Sequence, residues 1–475
     1  MVLEVFLDEY GVHTIGSVAY PPRDVTPLVH DISVHRSIDA VSRLQTVATC
    51  RLVIDLLADS ALLDHFVTGV KIWVCHILQG ELELVFTGYL RWSTALNERF
   101  GEFHFGGLPE FFDYHTSLGV VRSASTSGLL RRLFDNYSNA LPLPSQAPAG
   151  GLYGRVGGGL ASTVAADLLV GPPAPAVGFT GSDKEFDYFD SAVLRFDREN
   201  STLSAFLRLL TAGGAGWFFE RYDDSSVQGQ LRFIGDSFIS DGPAVVHEVS
   251  SLGVGYELNI NQYGAAYVSG YYPERVQLDD HEVWSARFGL VIPVGSTEYE
   301  LSVVGAGGYP YLFLTAPRVI YDAVAGLSIS VDVDVDVLRF RYLNSTGSPV
   351  RLSAISVRAD VISIVGIKSR RRFTGVRPGR TLSFYTPALS DSDLDALLDY
   401  NVKVYGAGDG NIISLVYQDN DVVGYRYDLM DGVKFIGDLA GMFSDYYVSS
   451  IGHEYSNGGT RVRVGLTPLI FDGGL

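Results

Sequence analysis

Cysteine and methionine are almost missing from this chain, which has 2 Cys and 3 Met in 475 residues. Two thiols make no disulfide framework. Cys50 and Cys75 fall in two expected strands of one region, so they are either neighbours or, as is commoner for lone thiols, plain buried residues. Positive charge is also in deficit, with 35 Lys+Arg against 54 Asp+Glu and a net charge of −19. Phosphate backbones and anionic membrane surfaces need clustered cations, so nucleic-acid specificity is excluded. No run of about 18 apolar residues occurs, and the N-terminus MVLEVFLDEYG has no basic segment before an apolar core. Neither a membrane span nor a signal peptide is expected, and the chain should be made in a cytoplasm.

The usual marks of catalysis are missing too. There is no G-x-S-x-G elbow, and neither cysteine carries a nucleophile signature. The 10 His are scattered singly, without H-x-x-x-H or Cys in zinc spacing. The glycines of GLYGRVGGGL (Gly151, Gly154, Gly157, Gly158, Gly159) do not form a phosphate-cradling motif. No catalytic residue and no cofactor is expected.

What the chain has is glycine and aromatics: 52 Gly, 27 Tyr and 26 Phe. That mixture suits short strands joined by tight turns, and the length suits several domains of roughly 100–200 residues. The fold class read from it is mainly β with an α+β insertion. The most legible stretch is Leu194 to Ile234. Ser201 is placed to cap a helix, and Leu203, Phe206, Leu207 and Leu210 form one apolar stripe. Gly213 and Gly214 stop the helix. Trp217–Phe219 and Gln230–Ile234 then make a hairpin, so a helix lies on two strands.

Around that unit, residues 1–115 read as a β-barrel or sandwich, with strands at Leu3–Leu7, Leu28–Arg36, Val47–Leu56, Lys71–Leu78, Leu82–Trp92 and Phe100–Gly107. The Gly inside LELVFTGYLRW marks a bulge or corner. Residues 116–244 form the α+β domain, with a helix expected at Thr126–Tyr137 and a Gly/Pro-rich loop or flexible arm over 140–180. Residues 275–360 read as an inserted β-sandwich, and 361–424 as a connecting α+β segment with an acidic helix, Asp391–Tyr400. A closing hairpin, Tyr446–Tyr455 with Thr460–Leu466, turns at Asn457-Gly458-Gly459.

Two charged motifs invite functional readings. Asp332, Asp334 and Asp336 in VDVDVDV fall on one strand face, which fits a solvated face better than a Ca²⁺ site; the EF-hand pattern would need Gly at Val337 and Glu at Leu343. They stay a weak calcium candidate, and no other metal site is expected. The run Lys368–Arg372, KSRRR, is either a solvated turn or strand end, or a dock for an acidic partner or another copy of this acidic chain.

Four segments in order resemble phage baseplate hub and minor tail (tail-tip) proteins. They are KIWVCHI with VFTGYLRW (Val85–Trp92), LRFDRENSTLSAFLRLLTAGGAGWFFERYD with GQLRFI, FRYLNSTGSPVRLSAISVRAD (Phe340–Asp360), and DYYVSSIGHEYSNGGTRVRVGLTP (Asp445–Pro468). The resemblance implies two hub-type β-barrels, residues 1–115 and 245–272 plus 425–475, that form a pseudo-sixfold ring in a homotrimer and adapt a sixfold tail tube to a threefold tip. It implies a structural virion protein of the tail tip, assembled in the host cytoplasm, with no active site. The partners it implies are distal tail and tail-tube proteins, a tape-measure protein, and a tail fibre or receptor-binding protein. Tyr89, Trp92, Tyr446, Tyr447 and Tyr455 are the interface candidates on the barrel walls. Two alternatives stand beside it: a carbohydrate- or receptor-binding tail module using Trp284 or Tyr311, and a glycan-degrading enzyme.

Overall fold

The computed structural model describes residues 3–8, 23–39, 42–58, 65–66, 70–78, 81–107, 109, 120–125, 129–130, 177–180, 185–189, 203–212, 216–222, 229–235, 242–243, 245–250, 255–259, 265–287, 289–305, 307–334, 337–374, 380–386, 391–405, 412–418, 427–436, 445–456 and 459–468. It is mainly β, with two described helices of ten residues or more.

The alternating N-terminal section forms β1 (Leu3–Asp8), β2 (Arg23–Asp24), β3 (Val29–Ile38), β4 (Gln45–Asp55), β5 (Lys71–Leu78), β6 (Glu81–Ala95) and β7 (Phe100–Gly106). Their inward residues, among them Val5, Val34, Leu52, Val74, Phe86 and Phe105, make one buried cluster. The mid-strand glycine read as a corner is Gly88, and its role is close approach. A Cβ there would lie 2.5 Å from the carbonyl oxygen of Gly106 on the neighbouring strand. Gly88→Ala should therefore cost about 1–3 kcal/mol in urea unfolding. Gly366→Ala, where a Cβ meets nothing within 4 Å, should cause no such loss. Equal losses at the two positions would refute the steric account.

The middle section holds β8 (Val120–Ser125), β9 (Val177–Thr180), β10 (Glu185–Phe189), helix α1 (Leu203–Ala212), β11 (Trp217–Tyr222) and β12 (Gly229–Ile234). The hairpin β11–β12 is antiparallel, and β9 adds to it in parallel. The expected Gly/Pro-rich loop over 140–180 thus ends in a strand: VGFT brings a β-branched and an aromatic residue to the edge of β12. Leu129 and Leu130 of the expected helix are helical and buried. The remainder of that helix, the Ser201 cap, and residues 140–176 lie outside the described residues.

Next come β13 (Val246–Ser250), β14 (Gly255–Asn259) and the long β15 (Ala265–Ala286). The following short strands are β16 (Leu290–Ile292), β17 (Gly295–Ser302), β18 (Leu312–Phe313), β19 (Arg318–Tyr321), β20 (Leu327–Asp334), β21 (Val337–Asn344) and β22 (Val350–Leu352). The chain closes with β23 (Ile355–Phe373), β24 (Arg380–Tyr385), helix α2 (Asp391–Tyr405), β25 (Ile412–Gln418), β26 (Gly432–Ile436), β27 (Asp445–Ser456) and β28 (Gly459–Pro468). The closing hairpin pairs as read, with Ser456 opposite Gly459; Asn457 and Gly458 are outside the described residues.

Strand pairing joins the two ends of the chain. One 13-stranded sheet runs β14-β25-β28-β27-β3-β4-β7-β6-β5-β1-β2, with β26 and β13 continuing from β27. The seam is β27 against β3, in register from Ser450 opposite Ser37 to Tyr455 opposite Ile32. The described strands of the two halves thus pair in one sheet, the edge of each half hydrogen-bonding to the other at this seam. Each half keeps its own core. The C-terminal one gathers Leu415, Tyr446, Val448, Val464 and Leu466 with Trp217 and Phe219 from β11.

Two expected limits fall inside strands. β15 starts before residue 275 and β23 runs past residue 360, so the pair forms one ribbon from the sandwich to α2. Proline rarely sits within a sheet, yet Pro273 lies in β15. There β24 has already ended its parallel pairing at Tyr271, leaving β23 as the ladder partner among the described residues. A missing N–H therefore breaks no bond on the β24 side.

Candidate functional site

The site with most chemistry is the place where the helix-on-hairpin unit meets the seam. β11 enters as an edge strand: Phe218 donates its amide to the Arg43 carbonyl at 3.0 Å. The Glu220 amide then donates to Gln45 Oε1 at 2.6 Å. Arg36, on β3, donates from Nη2 to the Glu220 carbonyl at 2.6 Å and pairs through Nη1 with Asp428 Oδ1 at 2.9 Å. Its guanidinium also lies 3.9 Å over the Tyr222 ring. Asp428 accepts from the Tyr222 amide at 2.7 Å, while Asp431 pairs with Arg221 at 3.0 Å and faces His247 at 2.9 Å. Thr87 of β6 donates its amide to the Tyr222 hydroxyl at 3.4 Å. One buried cluster thus fastens both halves of the sheet to the inserted unit.

The electrostatics follow from burial. Burial works to lower the Arg36 pKa, but Asp428, Tyr222 and Glu220 outweigh it and hold the guanidinium above its ordinary value. Burial raises the Asp428 carboxyl, which Arg36 and Arg221 only partly offset. Burial also drives the Tyr222 phenol well above its usual range. Across the seam, burial, with smaller contributions from Arg36 and His76, lowers the His453 pKa to about 3. The Tyr222 hydroxyl also donates to Glu220 Oε2 at 3.5 Å, so the groups of this cluster tie the elements together. Cys50 and Cys75 are free and buried; burial raises both thiols, Cys75 to about 12. Among the described residues no group of three or more His, Cys, Asp or Glu is placed to hold a metal.

Of the five interface candidates, one faces solvent clearly. Trp92 is 52% exposed and stacks on His104 with ring centroids 3.5 Å apart. Tyr89, Tyr446 and Tyr447 are 2%, 1% and 4% exposed, so they are core residues of the wall and offer no outer surface. Tyr455 packs partly buried against the N-terminal core, across the seam. A bulge between Leu90 and Trp92 shifts the strand's phase, which is why Trp92 points out.

The other candidates resolve as well. Tyr311 is buried in the sandwich core with its hydroxyl 3.0 Å from His281, and Trp284 packs partly buried against that core, its ring 5.0 Å from Phe340. Asp332 lies in a ladder of exposed charges, 3.3 Å from Arg341, which also pairs with Glu298, while Arg339 pairs with Glu300. Asp336 lies outside the described residues, and Asp334 is described only as the last residue of β20.

The basic run is neither turn nor free strand end. Lys368, Arg370 and Arg372 share one face of β23, and α2 lies on it. Arg370 pairs with Asp391 at 3.0 Å and with Asp395; Arg372 pairs with Asp395 at 2.7 Å and Asp399 at 3.3 Å. Alternate strand residues advance about 6.6 Å and every fourth helix residue about 6 Å, so the two charge rows stay in step. Beneath them Leu394 and Leu398 pack on Val268, Tyr272 and Phe384. Because these pairs are only half-buried and reach solvent, salt should weaken them. Arg370→Ala/Arg372→Ala should lower hydrogen-exchange protection across α2, and molar NaCl should bring the unaltered chain down toward the variant. Protection that ignores both changes would show that the leucines alone hold the helix.

No family model matches the chain, and no curated protein matches it. Solved structures do resemble it in shape. A tail protein from Neisseria meningitidis MC58 matches at 9% identity over 98% of this chain and 97% of that one, with a TM-score of 0.46. A 43 kDa tail protein of prophage MuSo2 from Shewanella oneidensis matches at 10% identity over 98% of each chain, with a TM-score of 0.44. The E. coli c3393 protein, a component of the type VI secretion system, matches at 7% identity over 93% of this chain and 73% of that one, with a TM-score of 0.38.

Proposed function

We propose that this chain is a structural hub protein at the tail tip or baseplate of a tailed phage or phage-like particle. Three copies form a ring in which the N-terminal half (1–115) and the C-terminal half (245–272 plus 425–475) alternate, so that a sixfold tail tube meets a threefold tip. The 116–244 unit braces the two halves, and the 275–360 sandwich with the 361–424 segment projects from them. The observation that carries this reading is the seam: β3 and β27, more than 400 residues apart in sequence, are hydrogen-bonded neighbours in one sheet. A wall of this kind fixes the angle between two β-units, which a tube adaptor requires. The buried cluster behind it serves rigidity, and the four sequence segments that resemble hub and minor tail proteins point to the same role. Its partners are the tail-tube and distal tail proteins, a tape-measure protein, and a fibre or receptor-binding protein.

The test is immunogold electron microscopy on tailed particles with antibody against this chain. Label at the distal tail end is the expected result. Label on cell surfaces, or absence from particles, would sink the proposal.

A further inference from the structure

The inserted sandwich ends in a strand edge that no other strand pairs among the described residues. β17 is the terminal strand of the sheet β17-β21-β20. It pairs with β21 over 8 residues without a register shift, from Gly295 opposite Asn344 to Ser302 opposite Val337. Sheet edges are ordinarily blunted by proline, lysine, a bulge or a covering element. GSTEYELS has neither Pro nor Lys. Its Tyr299 is 51% exposed although it stands opposite the core residue Phe340. Elsewhere the chain closes such an edge: the Phe218, Glu220 and Tyr222 amides of β11 each donate to a group outside the hairpin. At the far side of the same sheet, β20 has β19 beside it.

Charges across this sheet alternate in sign. Asp332 of β20 stands opposite Arg339 of β21, which stands opposite Glu300 of β17, and in the next row Arg341 stands opposite Glu298. Arg339 and Arg341 engage Oε1 of Glu300 and Glu298. A further strand beside β17 is therefore stabilised by cations at the positions facing those two carboxylates. On the other face Thr297, Tyr299 and Leu301 favour apolar residues in between, since strand side chains alternate. We propose that β17 receives an extended segment of a partner protein as a fourth strand, one in which Lys or Arg alternates with apolar residues. A second copy of β17 does not fit, because two such edges would set glutamates against each other. The inference concerns the sandwich alone and stands apart from the hub reading.

Fluorescence anisotropy tests it, on the full chain, with a short labelled peptide in which Lys and Val alternate. The parent should bind this probe, and Glu298→Gln/Glu300→Gln should weaken binding about fivefold or more. Glu454→Gln, at an exposed acid of β27, should leave binding unchanged. Strand addition uses one edge of the peptide. Of two probes N-methylated at every Lys or at every Val, one should therefore lose binding and the other keep it. Failure of the parent to bind the probe, or equal binding by the folded double variant, would overturn the proposal. So would equal binding of the two methylated probes, which would mean charge adhesion alone.

Discussion

Replacing Arg36 by methionine should lower the stability of the folded chain by about 3–5 kcal/mol. The side chain is almost wholly buried and bridges the Glu220 carbonyl to Asp428. Methionine keeps much of the volume but leaves a carboxylate in the interior with Arg221 at 4.0 Å as its nearest remaining cation. The penalty is that of an uncompensated charge, which exceeds the net worth of the pair. Asp428→Asn should therefore recover part of it, and the double variant should be less damaged than the sum of the singles. Urea unfolding of the four proteins reads the coupling; additive losses would mean that the two side chains act separately.

Acid should weaken the same region. His453 has a folded pKa of about 3 and an unfolded one of about 6.5. Its depressed value means that the folded state refuses a proton which the unfolded state accepts. Its contribution is thus intact above pH about 6.5 and is lost as pH falls toward 3, at up to about 1.4 kcal/mol per pH unit. Burial lowers His35 and His76 in the same sense. Asp428, raised by burial, works in the opposite sense, since its folded form takes a proton earlier. The comparison that isolates the effect is His453→Gln against the parent. The variant's stability should fall less steeply between pH 6 and 4, by nearly one proton; parallel curves would refute the assignment.

Periodicity carried most of the fold into view. The helix read from the stripe Leu203, Phe206, Leu207 and Leu210, of which Leu207 and Leu210 are described and buried, the strands flanking Asn457-Gly458, and the alternation of β1 to β7 are local facts, and local facts are written locally. The α2 clamp was also legible in principle. Asp391, Asp395 and Asp399 recur every fourth residue, and Lys368, Arg370 and Arg372 every second, which are the matching periods of a helix and a strand. Read apart, the two rows suggested a solvated run; read together, they name each other. The buried cluster had no such signature. Arg36 and Glu220 are 184 residues apart, and Tyr222 and Asp428 are 206 apart, so nothing in either segment marks its partner among 54 acids. Three of the interface candidates, Tyr89, Tyr446 and Tyr447, turn out buried for a related reason: aromatic content locates a wall strand, but the side that faces out depends on bulges such as the one before Trp92.

The most direct test of the hub reading is an electron-microscopic reconstruction of the tail tip of purified particles without imposed symmetry. The account predicts a ring of three copies of this chain in which six β-units alternate between N-terminal and C-terminal halves, each pair joined through β3 and β27. A ring of six identical copies, or a tip in which this chain is absent, would contradict it.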